Sequence, residues 1–267
     1  METAKKPCIS VPIARDTGEN LKGMIIVVVK VYKDADAIGK AAAALFAARV
    51  IEKPDCVLGL ATGSTPIPTY KAMAELYKAG AVDYSKVTTY NLDEYVGLGH
   101  EHDQSYYYFM HDNLFKYINV PEENINVLSG TAKDLEAECA SYEERIQKSG
   151  GIDLQILGIG HNGHIAFNEP DDAFAPVTHV VSLTARTIEA NTRFFASSAD
   201  VPRQAVSMGI GTIMKAKAIV LVATGAGKAQ AVHDMVYGEI TPKCPASILQ
   251  LHPNVTIMVD KEAGSML

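Results

Sequence analysis

From Ile25 onward the chain alternates between short apolar runs and longer amphipathic stretches. Strands are predicted at Ile25–Tyr32, Cys56–Ala61, Lys86–Leu92, residues 125–128, Ile152–Gly158, Val177–Leu183, Ala218–Ala223 and Val255–Val259. Helices are predicted between them. An Ala-rich one covers Asp34–Ile51 and stops before Pro54, and others cover 67–79, 105–117, 134–148 and 227–237. Strands that alternate with helices form a mostly parallel sheet covered on both faces, a three-layer α/β/α, Rossmann-like, doubly wound architecture. In that architecture the loops at the carboxyl ends of the strands share one edge, where ligands bind. Four polar or Gly-rich loops follow apolar strands: Thr62–Pro66, Asn91–Glu94, His161–Glu169 and Thr224–Lys228. They are expected to converge. Residues 1–23 mix Lys, Pro, Asp and Gly without clear periodicity and read as an extension of unassigned role. Residues 24–267 read as one domain, with no internal repeat or linker.

Composition narrows the function. A net charge of −7 leaves no basic footprint for nucleic acid. Cys8, Cys56, Cys139 and Cys244 are far apart with no CxxC pair. That disfavours a zinc ribbon or disulfide framework and suits free thiols in a reducing cytoplasm. The apolar run Met24–Val29 is stopped by Lys30, too early to span a membrane.

The densest candidate chemistry lies in Gly158–Pro170, just after the apolar run Leu154–Leu157. A Gly-rich turn lets backbone approach a ligand closely. His164 can move protons near neutral pH, and Glu169 can orient or charge it. Gly158-x-Gly160-x-x-Gly163 matches the dinucleotide fingerprint in form only. Asn168-Glu169-Pro170 interrupts the helix that fingerprint requires, and the next strand has no terminal acid. Thr224-Gly225-Ala226-Gly227-Lys228 resembles a phosphate loop, but Val222 stands at its first glycine position and Ala229 follows the lysine. This argues against ATP and leaves Lys228 as either a simple phosphate contact or a solvated side chain. Thr62-Gly63-Ser64-Thr65-Pro66 is a better anion cradle, and equally a capped helix start. His161, His164 and Glu169 do not make a convincing catalytic zinc set. The Tyr106–Phe109 cluster reads as helix core plus active-site wall. Asp93-Glu94 at a strand end is either a solvated turn or, set beside His164, the source of a general base.

Together these segments resemble glucosamine-6-phosphate deaminases. The likeness is carried by Leu58–Pro66, Asn91–Leu98, Ser105–Tyr107, Gly160–Pro170, Asn191–Phe195 and Leu249–His252, in order from about Met24 to the C-terminus. The resemblance implies that glucosamine 6-phosphate and water become fructose 6-phosphate and ammonia, with neither metal nor nucleotide cofactor. It implies that Asp93 is the base for enolisation, His164 the ring-opening residue and Glu169 its charge partner. Position 162 is Asp in some members of the family. Asn162 cannot share a proton as a carboxylate would, so its implied role is orientation. Thr62, Gly63, Ser64, Thr65, Arg193 and Lys228 match the family's phosphate contacts. Some members are hexamers activated by N-acetylglucosamine 6-phosphate, whose effector site would fall here on Asp172, His179 and Val181. These residues are poorly suited to hold a phosphate, so no activation is expected. Self-association as a homo-oligomer is left open. The alternatives are a 6-phosphogluconolactonase, in which Asp93 would be idle, and a sugar-phosphate sensor that releases no ammonia.

Overall fold

The structure is a computed structural model that describes residues 9–14, 26–192, 195 and 197–267. The chain begins with strands β1 (Ile9–Ala14) and β2 (Ile26–Tyr32) and helix α1 (Ala35–Glu52). It continues through β3 (Val57–Leu60), α2 (Ile67–Lys78), β4 (Thr88–Asn91), β5 (Asp93–Tyr95), α3 (Tyr106–Asn113), β6 (Ile125–Asn126), α4 (Leu135–Lys148) and β7 (Leu154–Leu157). The second half holds β8 (His179–Ser182), α5 (Ala185–Asn191), β9 (Gln204–Ser207), α6 (Ile210–Ile213), β10 (Ile219–Ala223), α7 (Ala229–Tyr237) and β11 (Val255–Asp260).

The main sheet runs β1-β2-β11-β10-β7-β3-β4-β6. Every pairing in it is parallel except β1 with β2. All residues of β3, β7 and β10 are buried, so both faces of the central sheet are covered. Helix starts follow local chemistry. Asp34 caps α1 by accepting from the Ala37 N–H at 2.8 Å, and Asp134 caps α4 through the Ala137 N–H at 3.0 Å. Gly39 lets α1 lie against the start of α2, since a Cβ there would sit 2.5 Å from the Pro68 carbonyl carbon.

Chain order creates a seam. From β3 the chain moves outward to β4 and β6, and from β7 it moves the other way to β10 and β11. The adjacent strands β3 and β7 therefore send their following loops apart, which opens a crevice at their carboxyl ends.

Two findings differ from the sequence pattern. The predicted strand at Val177–Leu183 does not enter the main sheet. Its core, β8, joins β9 and β5 in a separate antiparallel sheet of order β5-β9-β8. Antiparallel sheets tolerate one wet face, and β8 is correspondingly half-exposed. Beneath this small sheet, Tyr95, Phe167, Leu183, Ile188, Val201 and Ala205 form a second core. The other difference is β1, which lies within residues 1–23 where no element was expected and pairs antiparallel with β2, Val11 opposite Val29.

Candidate active site

A pocket of about 370 Å³ opens at the carboxyl edge of the main sheet. All four expected loops reach it, and α3 and α5 close its sides. The Thr62–Thr65 loop forms one wall, with Gly63 at φ +94° in the left-handed region that favours glycine. Its root is fixed by buried Tyr70 of α2, whose hydroxyl accepts from the Ala61 N–H and donates to the Ala61 carbonyl. Lys228 lines the same pocket. Its loop turns at Gly225, whose N–H donates to both carboxylate oxygens of Asp260 at 2.9 and 3.1 Å.

The loop after β7 is shaped around one imidazole. The His164 ring lies on Gly160, where a Cβ would come within 2.3–2.5 Å of three ring atoms, so any side chain there would displace the histidine. Ala166 has φ +52°, an uncommon conformation for a residue with a Cβ, and is held by its neighbours. The buried Asn168 amide donates to the carbonyls of Ile165 and Met208 at 3.0 and 2.8 Å, pinning the loop to the start of α6. Behind His164 stands Glu169. His164 Nδ1 is 3.4 Å from Glu169 Oε2, and the Asn162 amide donates to that oxygen at 2.6 Å. Asn162 Oδ1 also accepts from the His164 N–H at 3.3 Å. The Thr187 hydroxyl donates to the other oxygen, Oε1. Burial alone would raise the Glu169 pKa, but His164, Thr187 and Asn162 outweigh it and hold the carboxyl down to about 2. Nδ1 thus faces the carboxylate at 3.4 Å, short of a hydrogen bond in this geometry, and Nε2 is the ring nitrogen farther from it.

The acid pair Asp93-Glu94 splits because successive side chains of a strand point to opposite sides. Asp93 turns to the pocket and is 6% exposed. Burial, followed by the nearby Glu94, pushes its pKa up to about 8. Glu94, 1% exposed, turns away. Its oxygens accept from the backbone N–H groups of Tyr95, Tyr106 and Tyr107 at 2.8, 2.9 and 3.0 Å. Burial pushes its pKa up to about 7, against the pull of those donors. Glu94 thus serves the N-terminus of α3, and of the two only Asp93 lines the pocket. Tyr106 and Phe109 line the pocket as the wall the aromatic cluster suggested. Tyr106 and Tyr95 pack at 4.8 Å between ring centroids, and the Tyr95 hydroxyl accepts from the Asn191 amide at 2.9 Å.

The structure therefore brings Asp93, His164, Thr62, Gly63, Ser64, Thr65 and Lys228 to one pocket, with Asn162 and Glu169 directly behind His164. Arg193 lies outside the described residues. Among the described residues no group of three or more His, Cys, Asp or Glu side chains could hold a metal ion. No helix among them is long and apolar enough to cross a membrane. The sequence reading missed Thr187; Thr184-x-x-Thr187 was its only local signal.

Known proteins match this chain closely. The family of glucosamine-6-phosphate isomerases and 6-phosphogluconolactonases matches residues 33–258. A glucosamine-6-phosphate deaminase of Thermoanaerobacter pseudethanolicus is 56% identical over 230 residues, covering 86% of this chain and 91% of that protein. A glucosamine-6-phosphate deaminase of Clostridium botulinum is 54% identical over 244 residues, with coverage of 91% and 99%. A solved structure of a monomeric glucosamine-6-phosphate deaminase superposes with a TM-score of 0.87 at 43% identity, covering 90% of this chain and 99% of that one. A 6-phosphogluconolactonase of Thermotoga maritima, 18% identical, shares the fold with a TM-score of 0.68 over 87% of this chain and 99% of its own.

Proposed function

The chain belongs to the family of glucosamine-6-phosphate isomerases and 6-phosphogluconolactonases, and from that premise we propose how its pocket works as a glucosamine-6-phosphate deaminase. The enzyme converts glucosamine 6-phosphate and water to fructose 6-phosphate and ammonia. The observation that carries this reading is a buried carboxyl, Asp93, sharing one pocket with the carboxylate-backed imidazole of His164, in a chain 56% identical to a deaminase.

The phosphate rests against the Thr62–Thr65 loop, with Lys228 and Arg193 supplying positive charge. Binding energy there positions the reacting carbons without entering the chemistry. His164 Nε2 takes the proton of the C1 hydroxyl and returns one to the ring oxygen, opening the sugar. Glu169 steadies the transient imidazolium, while Asn162 and Thr187 hold Glu169. Asp93 then removes the C2 proton and delivers it to C1, shuttling it across one face of the open chain. Delivery of that proton to C1 leaves an iminium at C2; water adds to this carbon, and the amine of the resulting carbinolamine, once protonated, leaves as ammonia to give the ketose. Burial and Glu94 favour the protonated form of Asp93. The substrate carries its own cation, the ammonium on C2, and a positive charge within about 4–6 Å favours the carboxylate form. The base would thus be activated by the molecule it acts on. Each step moves protons between sugar atoms and side chains, so the scheme calls for no metal or nucleotide.

Free thiols at Cys56, Cys139 and Cys244 suit a cytoplasmic setting. The scheme needs residues of one chain only, and sedimentation at assay concentration reads the oligomeric state. A coupled assay tests the reaction. Ammonia and fructose 6-phosphate should appear in equal amounts from glucosamine 6-phosphate, while 6-phosphogluconolactone should be hydrolysed no faster than without enzyme. Tight binding of glucosamine 6-phosphate with no ammonia would make the protein a sensor instead.

A further inference from the structure

Helix α5 is seven residues long, yet it reaches both halves of the site. Thr184 caps it by accepting from the Thr187 N–H at 3.2 Å. A cap needs nothing more from residue 187 than its backbone. The Thr187 side chain nevertheless has a defined polarity. Its hydroxyl accepts from the Thr184 hydroxyl at 3.0 Å, so its single proton is free for Glu169 Oε1. Glu169 Oε2 is already taken by Asn162 and faces His164 Nδ1. The two oxygens are thereby assigned, one to the catalytic loop and one to α5. One turn further along, Asn191 donates to the hydroxyl of Tyr95, two residues from Asp93. Thr187 and Asn191 stand four residues apart, on one face of the helix, and both line the pocket.

We propose that Thr187 is a positioning residue for the reaction: its hydroxyl locks the rotation of Glu169 and, through Glu169, the imidazole plane of His164. This rests on the deaminase reading for its kinetic consequence but not for its geometry. Without the Thr187 donor the carboxylate turns about its last bond, because Asn162 alone holds one oxygen and leaves the other unpaired. His164 then presents Nε2 over a range of angles. The other ionisable groups lining the pocket are Asp93, Asp103, His161, Tyr95, Tyr106 and Lys228, and none of these is needed for the effect.

Thr187→Val keeps the volume and removes the hydroxyl, whereas Thr187→Ser keeps the hydroxyl. In Thr187→Val kcat should fall about tenfold, the loss of one charge-assisted hydrogen bond, with KM nearly unchanged. Losing a donor leaves the Glu169 carboxylate a stronger partner for the protonated imidazole, so the acid limb of the kcat profile should move to higher pH. Thr187→Ser should restore both. In the ligand-free enzyme labelled with 15N-histidine, the His164 imidazole resonances should shift in Thr187→Val and return in Thr187→Ser. Wild-type kcat and limb in the valine variant, or equal losses in valine and serine, would overturn the positioning role. An unmoved imidazole signal would overturn it whatever the kinetics read. If wild type releases no ammonia while the signal moves, the deaminase reading falls and the geometric role stands.

Discussion

Two aspartates at opposite edges of the sheet are almost equally buried and behave in opposite ways. Asp153, 2% exposed, sits just before β7 at the amino edge. It accepts from Lys217 at 2.7 Å, Lys53 at 2.8 Å and the Val57 N–H at 2.8 Å. Burial works against its charge, but the two lysines and the N–H more than offset it, and its pKa is lowered. Asp93, 6% exposed, has Glu94 as its nearest charged influence, and its pKa rises to about 8. Solvent exposure does not distinguish them; Asp93 is surrounded by more protein and lacks the cations that Asp153 has. One carboxylate is built to stay charged and join strands. The other has its charge disfavoured by burial and by Glu94.

The largest effect should come from removing the second aspartate's ability to titrate. Asp93→Asn should lower ammonia release at least about 10²-fold while leaving ligand binding. Exchange of the C2 hydrogen in deuterated water should vanish; near-normal turnover would remove Asp93 from the base role.

Asp153→Ala should do the reverse, leaving kcat alone and costing roughly 2 kcal/mol, below the usual figure for a broken buried pair because both lysines retain water. A melt should show Tm lower by a few degrees, and an unchanged Tm would make the Asp153 cluster ornamental. The pH dependence of stability separates the two further. The Asp153 contribution is present above its unfolded pKa, about 3.8, and is lost as pH falls through the lower folded value. Asp93 in the folded chain keeps a proton that the unfolded chain has lost. Its contribution therefore declines as pH rises from about 4 to about 8. Denaturant titrations across that range should slope less steeply downward for Asp93→Asn than for wild type, and parallel slopes would refute the assignment.

A third, smaller effect concerns where cations are placed at the ligand edge. Arg193→Ala and Lys228→Ala should mainly raise KM, because phosphate contacts bind ground and transition states alike. Unaltered KM in both would put the phosphate elsewhere. The smallest effect is none. Activity should be indifferent to EDTA, and saturation by substrate should stay hyperbolic with or without N-acetylglucosamine 6-phosphate. Asp172 is committed to Lys243 at 2.6 Å, and His179 faces the Val177 carbonyl at 3.1 Å. Rescue by a divalent ion, or a shift in half-saturation, would contradict these expectations.

The parallel strands were legible because strands buried on both faces are continuous apolar runs, as at Ile219–Ala223, and because caps such as Asp34 mark helix starts. β5 and β9 were missed, and β8 was read as a strand but not as part of a separate antiparallel sheet. Short antiparallel strands with polar residues, such as Asp93–Tyr95, look like turns, and β5 finds its partner far along the chain, Asp93 opposite Ser207. β1 hid for another reason. Ile9, Val11 and Ile13 alternate, but Pro12 disguises the run, and proline is tolerated there because the strand lies at an edge. Residue types pointed to Asp93, His164, Glu169 and the Thr62–Thr65 loop, which the fold brings into or beside one pocket. The division of labour between Asp93 and Glu94 needed the pleat of β5, and the hold of Thr187 on Glu169 needed α5 folded back over a loop 18 residues earlier.

The parting of β3 and β7 bears on how such a catalyst could change. The crevice comes from the order in which strands were laid down, and no side chain was hollowed out to make it. Whatever sequence fills the two flanking loops inherits an opening of fixed width, already facing solvent and already bordered by helix starts. New reactions could be tried there by rewriting loops, while the sheet beneath stays the same mount.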